Sequence, residues 1–156
     1  MKAIKIKVLI IVPLIIMISS SFYTRQDTCL SRTIVQDTII KYSNGIFEGQ
    51  SQDKYNDEPY WGKVQIKIEK GLFSIVSFVI RDTNLHETFD QYYEKHFVET
   101  PEYVQQCRND WKGVQTYPGK LVESQNIKNV DAMSGATWSY NIFKASANEA
   151  LKKAVK

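Results

Sequence analysis

Asp131-Ala132-Met133-Ser134-Gly135-Ala136-Thr137, followed by residues 138–155 without a single Gly or Pro, is the stretch from which the rest of the chain can be read. Ser134, Gly135 and Ala136 are three small residues in succession, so another body can approach the backbone there, and Gly135 can take backbone angles closed to other residues. Beyond them Phe143, Ala147, Ala150, Leu151 and Ala154 recur at three- and four-residue spacing, the single apolar stripe of an amphipathic helix. Lys152, Lys153 and Lys156 fall at the end where the helix dipole favours cations. Thr137 is thereby expected near the positive N-terminal end, where unpaired N–H groups favour a phosphate by roughly 0.3–1 kcal/mol when exposed and about 2 when partly buried. The same run also reads as a plain helix start, with Ser134 or Thr137 as N-cap and Gly135 in the turn before it.

An Asp, two variable residues, Ser or Thr, then Gly-Ala-Thr resembles the flavin-attachment signal of the FMN-binding domain family. That family includes the C subunit of sodium-translocating NADH:quinone oxidoreductases and the G subunit of Rnf complexes. The resemblance implies an α+β fold, a small antiparallel sheet packed with helices, and FMN linked through its phosphate to Thr137 by a flavin transferase. It further implies that Asp131, Ser134, Gly135 and Ala136 form the recognition motif. Trp138 stands where the family usually has a smaller side chain, and Ser139 keeps the hydroxyl residue common two positions after the modified Thr. His86-Glu87-Thr88 is similar to a stretch that many members carry near the flavin, although Phe89-Asp90 here replaces the Pro-Gly that often follows.

Working back from the motif, residues 61–69 alternate, with Val64, Ile66 and Ile68 on one face and Lys63, Gln65, Lys67 and Glu69 on the other. Lys70-Gly71 reads as a turn, and the apolar, β-branched run 72–80 completes an antiparallel hairpin. Gly45-Ile46-Phe47-Glu48-Gly49-Gln50 reads as a short strand, residues 51–59 as a loop, and residues 28–43 as a lead-in helix with helically spaced positions at Ile34, Val35, Thr38, Ile39 and Tyr42 that ends at Asn44-Gly45. Residues 90–128 are mostly helical in character and the least family-like. Pro101 is expected to open a helix there and Tyr117-Pro118-Gly119 to break it.

Lys2, Lys5 and Lys7 precede an apolar run at residues 8–18, with Ser19 and Ser21 at the positions a signal peptidase reads, so residues 1–21 are expected to be a signal peptide or membrane anchor. Residues 22–44 then form a lead-in segment and 45–156 the domain. The positive-inside rule places that domain on the extracytoplasmic face. Removing the three lysines of residues 1–21 from the 20 basic residues leaves 17, matched by 17 acids, so no electrostatic footprint for nucleic acid remains. Cys29 and Cys107 could form a bridge worth about 4 kcal/mol on the chain-entropy model, or stay as free thiols. The two Cys and two His show no metal-ligand spacing.

The expected function is extracytoplasmic electron transfer by a flavoprotein, with a flavin transferase and a redox partner, either a flavoprotein or a membrane reductase. Tyr60, Trp61, Trp111, Trp138 and Tyr140 offer faces for an isoalloxazine ring. Two alternatives remain open at this point: a flavin-dependent reductase of a small acceptor, and a non-redox binding module. No catalytic residue is assigned, and a Ser-His hydrolase has no defensible arrangement in the sequence.

Overall fold

The computed structural model describes residues 42–52, 54 and 57–156. The apolar run at 8–18, Cys29 and most of the expected lead-in helix lie outside the described residues. Tyr42, which the helical spacing assigned to the end of that helix, instead makes an isolated antiparallel bridge to Val155, and Ser43 N–H donates to the Ala154 carbonyl at 2.8 Å. The chain enters the described domain as backbone pairing with the C-terminal segment, which satisfies backbone polar groups on both sides.

Four antiparallel strands form a sheet in the order β1-β2-β3-β4: β1 Gly45–Gln50, β2 Tyr60–Glu69, β3 Leu72–Asp82 and β4 Glu87–Thr88. The β2–β3 hairpin closes through Lys70 (φ 53°) and Gly71 (φ 78°), the two left-handed positions that match a tight turn to the strand twist. Period-two alternation puts Val64, Ile66 and Ile68 of β2 on the inner face, joined by Phe73, Phe78 and Ile80 of β3, all buried. Burial of each such side chain contributes about 1.5–3 kcal/mol.

Two helices cover this face. α1, Pro101–Ser124, packs on β3, and α2, Thr137–Ala154, lies across β1 and β2. A short 3-10 segment, Tyr93–Phe97, precedes α1, and another, Ile127–Asn129, follows it. The stripe read from the sequence is the buried face of α2: Phe143, Ala147, Ala150, Leu151 and Ala154 are each 5% exposed or less. α2 can come so close to the sheet because β1 carries Gly49, where a Cβ would stand 2.1 Å from the Ser146 carbonyl oxygen and 2.3 Å from the Ala150 nitrogen. The fold is α+β, as expected.

The expected break at Tyr117-Pro118-Gly119 does not occur, for α1 runs through it to Ser124. Pro in a helix interior costs about 3 kcal/mol through a lost N–H bond and a clash with the carbonyl four residues back. Here Tyr117 and Leu121, on either side of Pro118, are both fully buried, and their burial offsets a cost of that size.

Candidate functional site

One face of α1 serves as a template for the loop that carries the Ser-Gly-Ala-Thr run. Gln106, Asp110 and Tyr117 all touch it. Gln106 Nε2 donates to the Gly135 carbonyl at 3.0 Å and also to the Asp110 carboxylate. The Asp110 Oδ1 accepts from the Ser139 backbone N–H at 3.0 Å and from the Ser139 hydroxyl at 2.7 Å. Tyr117 donates its hydroxyl to the Ala136 carbonyl at 2.8 Å and accepts from the Met133 N–H at 3.2 Å. Gly135 sits at φ 75°, and a Cβ there would meet Asn109 Nδ2 at 2.5 Å, so both conformation and space demand glycine. With these contacts the loop is held from the neighbouring helix at Met133, Gly135, Ala136 and Ser139.

Thr137 is the first residue of α2 and is exposed. The expectation that Ser134 or Thr137 caps the helix through its own side chain does not hold: the N-cap position is Ala136, with no side-chain cap bond. Asp110 performs that task from α1 by taking the Ser139 N–H. Three donors and no acceptor surround its carboxylate, the partner set of an ionised Asp. The Thr137 hydroxyl is thereby left without a capping duty.

Beside this loop lies a cleft of about 410 Å³ walled by Tyr60, Phe89, Tyr93, Phe97, Tyr103 and Trp138, with Gln106, Cys107 and Asp110 along α1. The aromatic wall is a connected set. Tyr60 and Phe89 each meet Trp138 edge-to-face at 5.2 and 5.3 Å between ring centroids, and Phe89 and Tyr93 are 5.0 Å apart. Tyr93 is fixed from behind: its hydroxyl donates to Asp82 in a short hydrogen bond, and its oxygen lies 3.2 Å from that of Tyr60. Burial, then the bonds with Asp82 and Tyr60, push the Tyr93 phenol far above its ordinary pKa, so it stays a neutral hydroxyl. Burial also works against the Asp82 carboxylate, but the bonds from Tyr93 and from the backbone N–H groups of Leu85 and Asn84 outweigh it and hold its pKa below the usual Asp value. Among the described residues Cys107 has no disulfide partner; it is a buried thiol whose pKa is raised, first by burial and then by Asp110 and Glu94, and it serves the cleft as apolar wall.

The family description "FMN-binding domain" matches residues 59–152, more than half of the chain. The chain belongs to the FMN-binding domain family. Among solved structures it is similar to the CPE2226 protein of Clostridium perfringens, at 22% identity and a TM-score of 0.51, covering 74% of this chain and 89% of that one, which supports the fold. No curated protein matches.

Family membership implies FMN, and the cleft suits it in two respects. Its walls are flat aromatic faces, and its volume falls in the range of small-molecule sites, about 300–1,000 Å³. Of the residues expected at an FMN-binding domain's site, the structure brings Gly135, Ala136, Thr137, Trp138 and Ser139 together on the turn beside this cleft, with Trp138 in its wall. Ser134 is exposed on the same turn, and Asp131 is exposed one segment earlier, its carbonyl 3.4 Å from Lys120 Nζ. His86, Glu87 and Thr88 do not line the cleft. His86 is exposed at φ 55° in the turn before β4, and Glu87 pairs with Lys95 and His96 at 3.0 and 2.9 Å, bonds that hold its carboxyl below the usual range. Their neighbour Phe89 is the residue that enters the wall. Of the aromatics singled out from the sequence, Tyr60 and Trp138 line the cleft. Trp61 and Trp111 do not, and Tyr140 is turned to the Val130 carbonyl at 2.8 Å. Asp110 and Gln106 are not legible in the sequence, because a lone Asp or Gln on a helix carries no local signal of the loop it reaches.

Proposed function

We propose that this chain is an exported flavoprotein that carries FMN on the Thr137 hydroxyl oxygen through a phosphodiester and transfers electrons outside the cytoplasm. The observation that carries this reading is the pairing of an exposed Thr137, relieved of helix capping by Asp110, with an aromatic cleft whose wall includes the next residue, Trp138. A hydroxyl buried or engaged as a cap would be closed to a transferase. Forming the linkage joins the Thr137 oxygen to the flavin phosphate as the phosphoanhydride of a flavin dinucleotide donor breaks, releasing the nucleoside monophosphate and the hydroxyl proton; a flavin transferase would bind the donor and catalyse the transfer. When bound, FMN provides one- and two-electron redox chemistry. Tyr60, Phe89, Tyr93 and Trp138 hold the ring and exclude water from it, and the Tyr93–Asp82 bond keeps that wall rigid. A covalent tether suits a small domain outside the cell interior, where a dissociated cofactor would be lost by dilution. Residues 1–21 serve as export signal or anchor, 22–44 as lead-in and 45–156 as the flavin-carrying domain. The partners are a flavin transferase and a redox flavoprotein or membrane reductase.

The test is co-expression with a flavin transferase, followed by a denaturing gel under ultraviolet light. The wild-type band is expected to fluoresce and the Thr137→Val band to be dark, with unchanged folding because Thr137 is exposed. A dark wild-type band beside a fluorescent family control would refute the covalent reading.

A further inference from the structure

Asp110 is 1% exposed, lies under the first turn of α2 and lines the aromatic cleft. It is the one charged residue among the described residues of that lining; the rest is aromatic apart from Gln106 and Cys107. We infer that Asp110 makes the cleft select the flavin ring and disfavour the free phosphate, so that FMN is retained through its bond to Thr137 and not through its charge. This rests on the flavin reading of the cleft given above.

A helix start ordinarily attracts a phosphate, because its first N–H groups are unpaired and its end carries a partial positive charge. At α2 a carboxylate already takes one of these groups. The Ser139 N–H is bonded to Asp110 Oδ1, and the charge of the helix end is compensated from inside the protein. Three cations of α1 and α2 have partners of their own. Arg108 is paired with Glu94 through two bonds of 2.6 and 3.0 Å, Lys120 reaches the Asp131 carbonyl, and Lys144 lies over the Tyr140 ring at 5.4 Å. An incoming phosphate monoester, with close to two negative charges near neutral pH, meets a like charge at this helix start. A phosphodiester carries one, so attachment itself relieves the repulsion. The consequence for assembly is that free FMN does not settle against α2 and cover Thr137 before the transferase arrives.

The full chain, produced without a transferase, is titrated with riboflavin and with FMN at low ionic strength, each followed by flavin fluorescence. Wild type is expected to bind FMN no more tightly than riboflavin. Asp110→Asn keeps an acceptor for Ser139 while removing the charge. It is expected to tighten FMN about three- to fivefold relative to riboflavin, the range a nearby helix end gives an anion, and to lose that gain in high salt. Two results overturn the proposal while leaving the flavin reading intact: wild type preferring FMN fivefold or more, or Asp110→Asn shifting both flavins equally. The wild-type ratio decides the first of these even if the variant does not fold. Binding of neither flavin, together with no label at Thr137, would remove the flavin reading and the proposal with it.

Discussion

Replacing Tyr117 with Phe removes one oxygen atom from the centre of the site and leaves the core shape unchanged, so its effect can be worked from the structure. Tyr117 is fully buried, with its ring stacked on Phe143 at 5.6 Å and 27°, and Phe can keep that packing. What disappears is the bond to the Ala136 carbonyl and the one from the Met133 N–H. The carbonyl is not orphaned, because the Tyr140 N–H still reaches it at 3.1 Å, and Met133 is only half-buried, so water can serve its N–H. The full penalty for two unsatisfied buried groups therefore does not apply. Two ordinary bonds at about 0.5–1.5 kcal/mol each give a loss of about 1–3 kcal/mol. At roughly 4–8 °C per kcal/mol for a domain of about 100 residues, the melting midpoint should fall by about 4–24 °C. Thermal unfolding by circular dichroism measures this, and flavin label per chain, after co-expression with a transferase, reports whether the loop still presents Thr137. A midpoint within 1 °C of wild type would refute the argument that Tyr117 holds the attachment loop.

Gly135→Ala should cost about 1–2 kcal/mol for the left-handed backbone alone, with a further loss from contact with Asn109. Adding Asn109→Ala should recover the contact part only, and full recovery in urea titrations would show that φ carries no strain. Asp82 has a lowered pKa in the fold, so its contribution is present above the unfolded value of about 3.9 and is lost as pH falls from there through the folded value. Asp82→Asn should accordingly lower stability at pH 7 and flatten the decline below about pH 4. Equal acid sensitivity of the two proteins would contradict this.

Local patterning made much of this fold legible. The alternation of Val64, Ile66 and Ile68 assigned β2, the Lys70-Gly71 pair assigned its turn, and the three-and-four spacing from Phe143 to Ala154 assigned the buried face of α2. Each signal lies within one element, where neighbours along the chain decide the outcome. α1 continues through Pro118 against the local signal because propensity is a local quantity, whereas the burial of Tyr117 and Leu121 that overrides it is not. The His86-Glu87-Thr88 stretch shows the reverse case: a local likeness drew attention to it, yet the chain turns so that Phe89 meets the cleft and Glu87 turns to Lys95 and His96.

The sequence by itself determined the family, the strand and helix faces, and Thr137 as the residue at the start of the last helix, because periodicity and a short motif are properties of contiguous residues. Only the tertiary structure decided which groups hold that Thr in place. Asp110 is 29 residues from Ser139, and Tyr117 is 19 from Ala136. The cleft itself joins β2, the segment after β4, α1 and α2. A hydrogen bond or an aromatic wall made across such separations depends on how the elements pack, and packing is settled by the whole core at once.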